Sequence, residues 1–273
     1  MAGKILITLD GSQPAEYAAQ IAVQIASKKG DQVMGLFIVD EALVMNAFET
    51  YQAELGDDRG MPASRQELID WFEDKGSNIL AELERMCYEA NVPLETQIIF
   101  GGVPDIMLEQ AEQADLVSIG RRGNDRAGKL DRLGNHFLQV GHRIPIPILV
   151  GGEIARPIRR LFLVADGSAR KKHAFNWAAW LRQAFSAELT IAMPPNFHIE
   201  EALAESEPSL RPGDYREVVL DSDMPESFIT CLLESQADLV ITGGFRYPEI
   251  LEWLVDGQTD LILLSSQIPA LLA

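Results

Sequence analysis

Lys4-Ile5-Leu6-Ile7-Thr8-Leu9-Asp10-Gly11-Ser12 decides the fold, because the chain writes it twice. The second copy is Arg160-Leu161-Phe162-Leu163-Val164-Ala165-Asp166-Gly167-Ser168, 156 residues further on. Each copy is a basic residue, a short apolar run and then Asp-Gly-Ser. The residues that follow also correspond: Tyr17-Ala18-Ala19-Gln20-Ile21-Ala22 matches His173-Ala174-Phe175-Asn176-Trp177-Ala178, both with helical apolar spacing. A second anchor, Ala114-Asp115-Leu116-Val117-Ser118-Ile119-Gly120, recurs as Ala237-Asp238-Leu239-Val240-Ile241-Thr242-Gly243. There the offset has fallen to 123, so the second half is 33 residues shorter between the anchors. A third anchor ends each half, Ile144-Pro145-Ile146-Pro147-Ile148-Leu149-Val150 and Ile268-Pro269-Ala270-Leu271-Leu272. Three ordered anchors identify a duplication.

The seam falls at the turn-rich stretch Gly151-Gly152-Glu153-Ile154-Ala155-Arg156-Pro157. This divides the chain into domains at 1–152 and 157–273. The apolar runs are continuous and rich in Val, Ile and Leu rather than alternating, as in strands buried on both faces. Helical patterns lie between them, over roughly 14–28, 64–90 and 103–113 in the first half. Strand–helix alternation implies parallel sheets covered by helices on both faces. The expected class is therefore α/β, two tandem doubly wound domains of about five parallel strands each.

Composition sets limits on partners. The 273 residues carry 41 Asp and Glu against 23 Lys and Arg, a net charge of −18. Such a surface repels phosphate backbones and anionic lipid heads, which argues against general nucleic-acid or membrane binding. No apolar stretch reaches the length of a membrane span. Met1-Ala2-Gly3-Lys4-Ile5 runs straight into a strand-like segment without the features of a leader, so a cytoplasmic location is expected. Cys87 and Cys231 are isolated and set in helical, half-apolar contexts. They give neither a disulfide frame nor metal-ligand spacing, and read as small buried hydrophobes. His173 and His198 have no partner residues in sequence, and no metal site is expected.

Ligands of open parallel sheets bind beyond the carboxyl ends of the strands, where the strand order reverses. Asp10-Gly11-Ser12 ends the first strand and Gly120-Arg121-Arg122-Gly123 ends the fourth. If those strands are neighbours, both segments line one crevice. Gly134-Asn135-His136 opens a further helical pattern, and free N–H groups at a helix start attract anions. Residues 121–132 hold Arg121, Arg122, Arg126, Lys129 and Arg132 against only Asp125 and Asp131. That cluster reads either as a polyphosphate site or as a solvated charged loop. Asp-Gly-Ser likewise reads either as a ligand-contacting turn or as an ordinary one.

Taken together, the Asp-Gly-Ser turns, Gly102-Val103-Pro104, Ala114-Asp115-Leu116-Val117 and the Gly120–Gly134 region resemble the universal stress protein family, in tandem form. The resemblance covers nearly the whole chain. It implies a five-stranded parallel sheet of the Rossmann-like, adenine nucleotide alpha hydrolase-like kind. It also implies, for some members, ATP bound through Gly-x-x-Gly, nine residues and then Gly-Ser/Thr. Here ten residues separate Gly123 from Gly134, and Asn135 stands in the Ser/Thr position. Carried over on that basis, Leu9 and Asp10 would face ribose or adenine, and the backbone near Ile38 would meet adenine. Gly120, Arg122, Gly123, Gly134, Asn135 and His136 would surround the phosphates. The second half places Arg246 at the second motif glycine and Asp256-Gly257 near the Gly-Ser position, so it reads as a degenerate partner.

Two functions remain open at this stage. One is a nucleotide-binding stress or signalling module. The other is an interaction protein with a relict crevice. An enzyme such as a slow ATPase ranks below both, since the sequence has no Walker loop and no nucleophile paired with a base. The Pro-interrupted terminal strands, 144–150 and 267–272, are expected to pair as an intramolecular pseudo-dimer, and a homodimer is also compatible with the sequence. The excess of the first half, mostly in 40–75, reads as a lid over the crevice, a helix extension at a dimer interface or ordinary helix packing.

Overall fold

A computed structural model describes residues 2–54, 64–121, 139–141, 143–165, 171–195, 197–204, 206–220, 224–243 and 267–273. The first half contributes β1 (Lys4–Leu9), α1 (Gln13–Lys29), β2 (Gln32–Asp40), α2 (Glu41–Glu54), α3 (Arg65–Ala90), β3 (Leu94–Gly101), α4 (Val103–Ala111), β4 (Leu116–Ile119) and β5 (Ile148–Val150). The second contributes β6 (Arg160–Val164), α5 (Lys171–Phe185), β7 (Glu188–Met193), α6 (Ile199–Ala204), β8 (Arg216–Val219), α7 (Met224–Ser235), β9 (Leu239–Thr242) and β10 (Ala270–Leu272). The ten strands among the described residues form one sheet in the order β3-β2-β1-β4-β5-β10-β9-β6-β7-β8. Every neighbouring pair is parallel except β5 and β10, which run antiparallel with Leu149 opposite Leu271. Each half therefore has the same doubly wound order, and the two terminal strands join them.

Alternation along each strand feeds two cores. Ile5, Ile7 and Leu9 face one side of the sheet, as do Leu161 and Leu163. Leu6, Phe162 and Val164 face the other. On the first side α1 lies close to the sheet because its inward face is small: Ala15, Ala18, Ala19, Ala22 and Ala26 are all buried. Its ends are written in the sequence. Ser12 caps the start by accepting the Ala15 N–H, Pro14 sits in the first turn, and Gly30 takes the left-handed conformation that stops the helix. α3 is seated by two glycines. A Cβ at Gly35 would lie 2.6 Å from Leu83 Cδ2, and one at Gly76 would lie 2.8 Å from Phe37 Cγ.

The duplicated Ala-Asp-Leu-Val anchor has a structural cause. Asp115 accepts the Lys4 N–H at 2.9 Å, and Asp238 accepts the Arg159 and Arg160 N–H groups at 3.0 and 2.9 Å. Each carboxylate pins the amino end of the first strand of its own half. This end is opposite to the one where a ligand would bind.

The halves differ where the sequence is shortened. α2 and α3 of the first half correspond to only the six-residue α6 in the second. The following loop is clipped to α5 instead: Arg182 donates to the Asp214 carbonyl and carboxylate at 2.6 and 2.7 Å. The excess in the first half is thus α2 and the opening turns of α3. α2 buries Val44, and Asp40 caps its start by accepting the Ala42 N–H. The terminal strands are shorter than the apolar runs suggest, 148–150 and 270–272. Pro145, Pro147 and Pro269 have no N–H to add to the ladder, although Pro147 and Pro269 still accept the Val117 and Val240 N–H groups.

Among the described residues no helix is long and apolar enough to cross a membrane. Cys87 is buried in α3, and burial pushes its thiol up to about 11 from an ordinary 9.0. A thiol held neutral reacts slowly. In native protein at pH 8, Cys87 is expected to resist a thiol-labelling reagent that modifies it at once in urea. Because the unfolded thiol ionises first, stability is complete below pH 9 and falls as pH rises toward 11. Rapid native labelling of Cys87, followed by peptide mass spectrometry, would count against this burial.

Candidate functional site

The strand order reverses between β1 and β4, since β2 lies on one side of β1 and β4 on the other. The candidate residues that the structure describes gather at this point. β1 ends at buried Leu9, which pairs in register with Phe37 of β2. Ile38, half-buried, is therefore level with Asp10. Ser118 is paired with Ile7, so extending the register brings Gly120 level with Leu9. Asp10, Ile38 and Gly120 thus converge at one end of three neighbouring strands. Arg122, Gly123, Gly134, Asn135 and His136 lie outside the described residues, as do Asp166, Arg246 and Asp256.

The turn after β1 is tightly built. Asp10 Oδ1 accepts the Ser12 N–H at 2.8 Å, an Asx turn that hands the chain to the helix cap. Asp10 Oδ2 has no hydrogen-bond partner among the described residues. Gly11 has φ +81°, and a Cβ there would lie 2.9 Å from Ile79 Cδ1. The backbone conformation requires glycine, and a larger residue would also have to displace the end of the Ile79 side chain. The stem of Lys75 passes nearby, its Cε 3.8 Å from that same point. One turn of α3 therefore lies against the Asp10-Gly11 turn. Its residues come from a helix remote in sequence, and no motif marks them.

A second close approach is made by the first turn of α1. A Cβ on Gly120 would lie 3.0 Å from the Ala15 Cβ and 3.1 Å from its backbone nitrogen. A Cβ on Gly151 would overlap the Pro14 carbonyl oxygen, with the carbonyl carbon 2.6 Å away. These two glycines let the start of the helix settle onto the ends of β4 and β5. Below the turn, Thr8 Oγ1 donates to the Ser118 carbonyl at 2.9 Å and ties β1 to β4.

Arg121 differs from the expectation for the basic cluster. Its side chain is fully buried, and Nη2 donates to the Ile268 carbonyl of the second half at 2.7 Å. It is part of the seam between the halves, so one cation of that cluster is turned away from solvent. Nothing in the sequence separates Arg121 from Arg122 in this respect.

A doubly wound order built twice in one chain, with Asp10-Gly11-Ser12 turning at the switch point of the first half, defines a narrow class of α/β protein. The model of the universal stress protein family matches residues 1–150. The chain belongs to the universal stress protein family. It is 27% identical over 151 residues to universal stress protein MJ0531 of Methanocaldococcus jannaschii, covering 54% of this chain and 80% of that one. Over its full length it is similar in fold to a universal stress protein from Archaeoglobus fulgidus, with a TM-score of 0.69 at 14% identity and coverage of 99% and 96%. A protein of unknown function from Pseudomonas aeruginosa, PA1789, has the same fold, with a TM-score of 0.63 at 15% identity and coverage of 99% and 92%. The likeness in fold therefore extends across both halves.

Proposed function

We propose that the first half, a domain of residues 1–152, binds ATP or a related nucleotide at the carboxyl ends of β1, β2 and β4. Occupancy would serve a regulatory role in a cytoplasmic stress response. In this reading the second domain, 157–273, is a degenerate partner and not a second site. The observation that carries the proposal is the convergence of Asp10, Ile38 and Gly120 at the switch point. Asp10 Oδ2 is left to accept a ribose hydroxyl at the carboxyl ends of the strands, and Gly120 is assigned with the phosphates. Leu9 and Ile38 line the apolar side, while Arg122, Gly123, Gly134, Asn135 and His136 are assigned to the phosphates. The role is binding rather than turnover, so ATP should be recovered unhydrolysed after incubation.

ATP at 100 times its dissociation constant stabilises the native state by about 2.7 kcal/mol. At roughly 2–4 °C per kcal/mol, that is a melting shift of about 5–10 °C. Gly123→Val and Asp10→Ala should abolish the shift. Wild-type protein whose midpoint does not move at millimolar ATP would refute the proposal. A second reading, an interaction protein with a relict crevice, is favoured by one observation: Asp10 Oδ1 already serves the local turn. Nucleotide released from denatured, freshly purified protein would exclude it.

A further inference from the structure

We infer that Arg121 is a positioning residue that ties the ligand-facing end of β4 to the second half, so that filling the first-half crevice and docking of residues 267–272 reinforce each other. The inference rests on the reading of that crevice as a nucleotide site. It begins from the burial of a guanidinium directly after Gly120. Removing this cation from water is costly unless hydrogen bonds hold it in place. The Ile268 carbonyl supplies one at 2.7 Å, so the backbone leaving Gly120 and the approach to β10 are held at a fixed separation.

The surrounding contacts make that separation stiff. Gly152 abuts the second half so closely that a Cβ there would lie 2.6 Å from the Gln267 carbonyl oxygen. The same oxygen accepts the Glu153 and Ile154 N–H groups at 2.7 and 3.1 Å. Gln267 itself adopts a left-handed φ of +50°, which aims its carbonyl at the seam. On the crevice side, Gly120 and Gly151 receive Ala15 and Pro14 of α1, the helix capped by the Asp10–Ser12 turn. A continuous packed path thus runs from the Asp10 turn through Ala15 and Gly120 to Arg121, then to Ile268 and β10. Close-packed interiors pass displacements on rather than absorbing them. A ligand held against Asp10 and Gly120 fixes the backbone that carries Arg121, and by linkage a docked β10 favours that ligand equally.

The test uses the full chain. ATP should slow hydrogen exchange of the Leu271 and Ala273 amides, and Arg121→Met should remove that slowing and weaken ATP affinity about tenfold. Arg121→Lys, which keeps a donor, should recover most of both effects. A residue that served folding alone would lower the melting midpoint yet leave the ATP dissociation constant and the exchange response unchanged. Should Arg121→Met fail to fold, the exchange response of the wild type and the affinity of Arg121→Lys decide the matter. A wild type stabilised by ATP without any slowing at 271–273 overturns this inference alone. A wild type that ATP does not stabilise overturns the nucleotide reading, and the inference with it.

Discussion

Gly151→Val is expected to cost at least about 3 kcal/mol, a fall in melting midpoint of roughly 6–12 °C, or to prevent folding altogether. Overpacking a core costs about 1–3 kcal/mol when side chains can move aside. Here the obstacle is backbone: the added carbon would overlap the Pro14 carbonyl oxygen. Pro14 belongs to the first turn of α1, which rests on Gly120 as well. Relief therefore requires the whole turn to lift from the ends of β4 and β5. Gly102→Ala is a suitable control. A Cβ there meets only Asp105 Oδ2, at an ordinary 3.8 Å, and the change should stay within about 1 kcal/mol. Gly151→Val protein that melts within a couple of degrees of wild type would show that this helix end is not held as described.

Asp238→Ala should destabilise the protein by about 2–4 kcal/mol, as measured by urea unfolding. The carboxylate is almost fully buried and holds two backbone N–H groups, those of Arg159 and Arg160. Hydrogen bonds to a charged group contribute about 1.5–3 kcal/mol each, and buried donors left unpaired carry their own penalty. Asp115→Ala, its counterpart in the first half, loses one such bond at an exposed position and should cost about 1 kcal/mol. Asp238→Asn keeps an acceptor and should fall between the two. An Asp115→Ala penalty equal to or above that of Asp238→Ala would contradict this account.

Strands such as Lys4–Leu9 and Arg160–Val164 are legible because burial on both faces leaves an unbroken apolar run, whereas the outermost strands β3 and β8 are largely exposed or half-buried and leave none. α1 and α3 are legible from their helical apolar spacing over 14–28 and 64–90. α2 is not, because among its described side chains only Val44 is buried and no clear apolar stripe results. The terminal strands are shorter than their apolar runs, since apolar character survives Pro145 and Pro147 while ladder donors do not. Asp10 and Gly120 are legible as candidates because each sits where a strand stops, and the strand order makes those ends neighbours. Lys75 and Ile79 are not, because their place beside Gly11 depends on how α3 crosses the sheet. Arg121 was misjudged for a related reason. Its neighbours in sequence are basic, but its neighbour in space is a carbonyl of the other half.

The antiparallel join of β5 to β10 also bears on how such a chain can evolve. In an assembly of two identical subunits, every substitution is made twice, and a feature useful on one side must be tolerable on the other. Covalent fusion removes that constraint. Gly151 N–H donates to Ile119 as Ala273 N–H donates to Thr242, so the two positions are equivalent, yet only one of them has to be glycine. The same freedom allowed the second half to keep only a six-residue helix and a clipped loop where the first half has α2 and α3, and allowed Ile268 to receive an arginine from the first half. One copy can thus specialise as scaffold while the other keeps a crevice, each mutating independently inside an assembly whose stoichiometry cannot change.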